Sequence, residues 1–206
     1  MASGNPPEIL GPAPTSFDGT SVSIKNSTGS TFAAPLLFVS PWQLTFEVPA
    51  GVASGPAQVS VTSAASTQAP TNVQVASVAP AIFTLNGVGL AAAEAVRVSN
   101  GTQIIEPAYT LNSFGSFAAN PIDMGSSGDQ VYLTLFGTGI QAAGQSKVAV
   151  TVAGSTAPVV YAGTSGFTGV DQVNVLLPTS LAGKGTVNVQ PTAAGVAANP
   201  VQITIQ

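Results

Sequence analysis

Eight carboxylates carry most of the reactive chemistry in this sequence: Glu8, Asp18, Glu47, Glu94, Glu106, Asp123, Asp129 and Asp171. Two carboxyl groups facing each other across a cleft can hydrolyse a glycosidic bond, one of them serving as an acid of raised pKa. Asp129 and Asp171 are the candidates for such a pair, since each flanks a run with strand periodicity. The plainer reading, solvated residues at strand ends, is preferred. Converging oxygens can also wrap a calcium ion. Asp123 and Asp129, with Gly125 and Gly128 between them, offer a segment of that kind. It lacks the dense Asp spacing of calcium loops, so a plain turn is expected.

Other catalytic designs fail on residue types. The chain has no histidine and no cysteine, which removes the Ser-His-Asp relay, thiolate chemistry and zinc–thiolate sites. No Ser-x-x-Lys occurs. Gly137-Thr138-Gly139 follows a strand-like run but lacks the lysine and helix of a phosphate loop, so it reads as a turn. The expectation is a protein that is not an enzyme, with no catalytic residues, cofactor or metal. The four cations Lys25, Arg97, Lys147 and Lys184 are scattered singly, which argues against nucleic-acid binding.

The aromatic residues allow a binding role. Trp42 stands between Pro41 and Gln43 at an expected strand start. Exposed, it would stack on a sugar face; the expectation is packing in a core or against another domain. Tyr109, Phe114 and Phe117 cluster in a Gly/Ser/Asn loop. Facing out, they form a patch for a glycan or a protein; facing in, they cover the end of a sheet.

The elements that position these residues are short strands. Apolar residues alternate through 21–24, 43–48, 58–61, 72–75, 131–136, 147–152, 172–177, 186–190 and 201–205. This is the period of half-buried strands. Gly, Pro, Asn and Ser separate the runs, as turns require. Asn100-Gly101 between apolar flanks predicts a two-residue hairpin. No stretch approaches the ~20 apolar residues of a membrane-spanning helix. Charged residues make up 6% of the chain, against roughly 25% in an average soluble domain. Met1-Ala2-Ser3-Gly4 has no leader character, and the charge-poor, Ser/Thr/Gly-rich composition favours an extracellular, cell-surface location.

One phrase occurs twice. Gln43 to Pro49 and Gln172 to Pro178 share a Gln, three apolar residues spaced by two, and a Pro. Around it, Val22 and Ile24 match Val148 and Val150, Val59 and Val61 match Val187 and Val189, and Val73 and Val75 match Val201 and Ile203. Upstream, Ile9-Leu10-Gly11 matches Leu135-Phe136-Gly137. The reading is all-β: an immunoglobulin-like sandwich over 1–78, a connecting segment with a hairpin and an aromatic loop over 79–128, and a second sandwich over 129–206.

Four motifs in order carry a resemblance: "APLLFVSPWQLTFEVP" (34–49), "APAIFTLNGVG" (79–89), "NPIDMGSSGDQVYLTLFGTGI" (120–140) and "GVDQVNVLLP" (169–178). The series resembles an uncharacterised C-terminal domain of Acidobacteria such as Solibacter, whose repeats look like IPT/TIG immunoglobulin-like folds. It spans nearly the whole chain, with Asn100-Gly101 kept and the Tyr109–Phe117 loop and Pro6-Pro7 departing from the pattern. The resemblance implies export and a β-sandwich, and no enzyme activity.

Most strands lack the charges that normally guard sheet edges. Pro6 and Pro7 cannot donate ladder hydrogen bonds, so the first strand is shortened. The plainer reading is a structural protein of two closed sandwiches whose surfaces Thr, Asn and Gln keep soluble. The sharper one is a structural protein that polymerises into a filament by strand-edge contacts, using Glu8, Ile9 and Leu10 at one edge and Val201, Ile203 and Ile205 at the other. A homo-oligomer or polymer is the expected partner. The alternative is a carbohydrate-binding or adhesive module using Trp42, Tyr109, Phe114 and Phe117, with a glycan as partner.

Overall fold

The computed structural model describes residues 13–206. The chain is all-β and divides into two compact units, one ending at Ser77 and one running from Val78 to Gln206. The expected core strands are all present.

The first unit contains β1 (Ser16–Phe17), β2 (Thr20–Lys25), β3 (Thr31–Ala33), β4 (Leu36–Val39), β5 (Leu44–Phe46), β6 (Gly55–Thr62) and β7 (Thr71–Val75). Its main sheet runs β1-β2-β6-β7, with β3 also on β2; β4 and β5 form a separate two-stranded ribbon. Val22, Ile24, Ala34, Leu36, Val39 and Ala57 fill the small core, with Leu44, Phe46 and Val59 half-buried against it. Alternation places these side chains on the inner faces. Full burial of each large aliphatic side chain contributes about 1.5–3 kcal/mol.

The second unit begins with β8 (Ala81–Ile82), β9 (Ala93–Ser99), β10 (Thr102–Pro107), β11 (Tyr109–Leu111), β12 (Phe117–Ala119) and β13 (Gln130–Thr138). It continues with β14 (Val148–Val152), β15 (Ser155–Ala157), β16 (Val159–Thr164), β17 (Asp171–Leu176), β18 (Gly185–Ala193), β19 (Val196–Ala197) and β20 (Val201–Ile205). One sheet runs β10-β9-β13-β17-β16, with β8 on β13; the facing sheet runs β15-β14-β18-β19, with β20 on β18. Leu133, Leu135, Val173 and Val175 from the first face Val150, Val152, Val189, Val201 and Ile203 from the second in one continuous core.

The segment 79–128, expected to connect two sandwiches, is instead built into the second unit. β9 pairs with β13 over Gln130–Leu135, and β8 takes up Gly137 and Thr138. The cause is visible at two glycines. A Cβ at Gly137 would meet the carbonyl of Ala81, and one at Gly139 that of Ala79, so only glycine lets the 79–82 backbone lie there. The Gly-Thr-Gly stretch is therefore a close backbone approach. The Asn100-Gly101 hairpin forms as expected, with φ of 48° and 79° and Ser99 opposite Thr102.

The duplication extends to irregularities. The β4–β5 ladder slips between Leu36 and Phe38, and the β16–β17 ladder slips between Val159 and Tyr161, the corresponding place. Glu47 donates its N–H to the Pro35 carbonyl as Leu176 does to Pro158. The Gln43 amide donates to the Thr45 hydroxyl, and the Gln172 amide to Asn174 Oδ1. The repeated phrase thus marks a strand beside a β-bulge, with a Gln bridging two residues along its outer face.

One strand correspondence changes. Val22 pairs with Val61, while its counterpart Val148 pairs with Ala193. Val73 pairs with Ala57, while its counterpart Val201 pairs with Val189. Both neighbours match Val61 to Ala193 and Ala57 to Val189, four positions beyond the expected match of Val61 to Val189. A slip of four keeps every side chain on its face, so valine alternation alone does not fix it.

Candidate functional site

The carboxylates are occupied by structural partners. Gly137 faces Asp171 across β13 and β17, whereas Asp129 immediately precedes β13 at its other end. Eight residues of extended strand separate those levels, on the order of 25 Å. That is beyond the ~10 Å reach of a glycosidase pair. Asp171 is buried, and its carboxylate accepts the N–H groups of Ile140 (2.7 Å) and Gln141 (3.0 Å). It anchors the chain as it leaves β13.

Asp123 and Asp129 do converge, on a cation of the protein itself. Arg97 reaches Asp123 at 3.4 Å and Asp129 at 3.6 Å. Asp123 also accepts the Gly125 N–H, and Asp129 that of Ser126. The Ser99 hydroxyl, with further help from the Ser126 amide and Arg97, holds the Asp129 carboxyl below the usual carboxylate range. Between the two carboxylates a guanidinium already offsets one of their two charges. Among the described residues, no group of three or more metal-ligating side chains assembles.

The expected aromatic site separates into exposed and packed parts. Trp42, expected in a core or against another domain, is 95% exposed. Pro41 and the bend at residues 41–42 turn it off the end of β5, where Ser40 caps the Trp42 and Gln43 amides. The Tyr109–Phe117 loop is a hairpin, β11–β12. Tyr109 and Phe117 are half-buried and meet edge to face at 5.6 Å. Phe114, at the tip, is 92% exposed. Asn112 Oδ1 holds that tip by accepting the Phe114 and Ser116 amides. Sequence alternation did not single out two other exposed apolar side chains, Val88 and Phe167, because both lie in loops.

The strand edges are the informative feature. Val201, Ile203 and Ile205, expected to form an assembly edge, are buried core residues. The outer backbone of their strand is covered within the chain. Gln202 N–H donates to Gly89 O (2.7 Å), and Ala91 N–H to Gln202 O (3.0 Å). Ile122 N–H donates to Thr204 O (2.8 Å), and Gln206 N–H to Ile122 O (2.9 Å). These parallel bridges at Leu90 and Ile122 are contributed by the 79–128 segment, which seals β20. The expectation of an open C-terminal edge is corrected by them.

The matching strand of the first unit is bare. β7 pairs with β6, and among the described residues nothing bonds to its other side. Pro56 has no N–H, and it faces Gln74. Pro56–Gln74 is therefore a pair whose backbone groups point away from each other, and alternation sends those of Asn72 and Gln74 outward. Thr71, Asn72, Val73 and Gln74 are all exposed, and none carries charge.

β5 is a second open edge. Its counterpart β17 lies between β16 and β13, whereas β5 pairs only with β4 among the described residues. The burial shows the difference: Leu177 is 2% exposed and its counterpart Val48 is 50% exposed. In the sequence repeat, residues 4–12 correspond to β13, and they lie outside the described residues. Glu8, Ile9 and Leu10, the other expected edge residues, lie outside the described residues.

No family model, curated protein or solved structure matches the chain. The resemblance to the Acidobacteria-type domain therefore stands on its residue pattern alone.

Proposed function

We propose that this protein is a non-catalytic, secreted structural module of the cell surface that associates with copies of itself through open strand edges. One observation carries the reading. The β7 edge is exposed, uncharged and uncovered among the described residues, while the equivalent edge of β20 is sealed by a segment found only in the second unit. An unguarded edge is a template for another strand. The engagement of Asp129 and Asp171 as structural anchors supports a role without catalysis. A head-to-tail contact that does not close on itself would build a filament.

The test places guards on the edge. Asn72→Lys with Gln74→Lys lowers association in size-exclusion chromatography and negative-stain microscopy, and shifts stability by no more than about 0.5 kcal/mol. Gln202→Lys, on the sealed edge, leaves association unchanged. A parent protein that stays monodisperse at 20.3 kDa at high concentration contradicts the proposal.

A second reading, an adhesive or carbohydrate-binding module, is favoured by the exposure of Trp42 and Phe114. Exposed rings stack on apolar sugar faces. Loss of glycan-array binding in Trp42→Ala or Phe114→Ala would support it, and an array without hits for the parent removes it.

A further inference from the structure

Resting on the self-association reading, we propose that the outer edge of β5 receives residues 8–11 of a second copy of this chain. Those residues would then do for a neighbour what β13 does for β17 within the second unit.

The duplication supplies the register. Leu135 faces Val173 and Phe136 faces Gln172. Carried through the repeat, Ile9 faces Leu44 and Leu10 faces Gln43. Leu177 N–H donates to Val131 O, so the alternate positions Leu133, Leu135 and Gly137 of β13 are the ones that exchange backbone bonds with β17. Their counterparts are Pro7, Ile9 and Gly11. Ile9 and Gly11 keep their donors, and Pro7 has none. The pairing stretch is therefore residues 8–11, ending where Pro7 stops the ladder. On the receiving side, Leu44 and Phe46 are half-buried and Val48 is half-exposed, where Val173, Val175 and Leu177 are buried.

The choice of a second copy over the same chain comes from how β13 ends. In the second unit the chain leaves β13 through Gly139, whose φ is 70°. The Asp171 carboxylate then fixes the Ile140 and Gln141 amides. The first unit has replaced each part of this device. Ala13 stands for Gly139, and a left-handed turn there costs an L-residue about 1–2 kcal/mol. Pro12 stands for Thr138, and Trp42 for Asp171, without a carboxylate to accept amides. The residues that pair are kept while the turn and anchor that return the strand to its own sheet are lost. The Leu36 N–H donates to the Pro14 carbonyl at 2.7 Å, so the base of the donor segment is tied to the unit it leaves.

The chain contains no cysteine, so two single-thiol variants test the pairing cleanly. Leu10→Cys and Gln43→Cys fall opposite each other at a position without cross-strand backbone bonds, where side chains are closest. The two variants, one isotope-labelled, are melted to confirm folding, mixed and oxidised. The expected product is a linked species of twice the 20.3 kDa chain mass, joined through residues 10 and 43. Leu10→Cys mixed with Thr45→Cys, two residues out of register, gives much less. If the mixture yields no such link while a Leu10→Cys/Gln43→Cys double variant closes within one chain at high dilution, the donor is in cis and the proposal is overturned. Equal linking to residues 43 and 45 also overturns it, since no register then exists. A parent that associates without this link loses only the donor assignment, and the Asn72→Lys/Gln74→Lys variant then decides the wider reading. A parent that never associates removes both.

Discussion

The two units carry the same strand phrases and differ at their edges. In the second, β20 is sealed by Leu90 and Ile122, and β17 is covered by β13. In the first, β7 is bare among the described residues, and β5 leaves Val48 half-exposed where Leu177 is buried. The core strands alone do not complete such a sandwich. In the second unit the β20 edge is completed by an insertion of about fifty residues, 79–128, and the β17 edge by β13. Among the described residues the first unit has no such covering, and its β7 edge is uncharged.

Core truncations give the largest separation between the units. Ile203 is fully buried and its counterpart Val75 is only partly so. Ile203→Ala should cost the second unit about 2–5 kcal/mol, and Val75→Ala should cost the first roughly 1 kcal/mol, read by denaturant unfolding. Equal costs would mean that the first unit is as well packed as the second. Next comes the strap on β8. The Asn199 side chain accepts the Ile82 N–H at 2.8 Å and donates to the Ile82 carbonyl at 3.0 Å. Its counterpart in the repeat is Thr71, on the open strand. Asn199→Ala leaves both groups unpaired and should cost about 1–3 kcal/mol, lowering the second transition alone.

Turn substitutions should act in the opposite direction. Ala153 and Ala194 adopt φ of 51° and 49° in two-residue hairpin turns before Gly154 and Gly195. Ala153→Asn and Ala194→Asn should each raise stability by about 0.5–1 kcal/mol in thermal unfolding. The smallest effect concerns acid. Asp129 is held below its ordinary 3.8, so the folded state binds fewer protons than the unfolded chain near that pH. Its contribution is present above 3.8 and lost as pH falls through the lower folded value. Asp129→Asn should flatten that acid limb slightly, in unfolding titrations followed from pH 5 downward.

The duplication was legible in the sequence because strand alternation and the Gln-to-Pro phrase survive in both copies. The Asn100-Gly101 turn was legible because its residue types favour left-handed backbone. Ala153-Gly154 and Ala194-Gly195 make the same turn and were not, since alanine carries no such preference. Neither was the four-residue offset of β6 against β18, which leaves facing unchanged. The sealing of β20 was hidden for a different reason. It depends on isolated backbone bonds from Gly89, Ala91 and Ile122, which no side-chain pattern records. Trp42 was misplaced because a lone tryptophan beside a strand suits a core equally well. Its exposure follows from the Pro41 bend and from the absence, among the described residues, of a strand beyond β5.

Amide hydrogen exchange measured across a concentration series tests the contrast between the units most directly. At high dilution, the amides of Leu44, Phe46, Asn72 and Gln74 should exchange quickly while those of Val173, Val175, Gln202 and Gln206 are protected, and raising the concentration should protect the first set. Equal protection of both sets at high dilution, unchanged by concentration, would contradict the account.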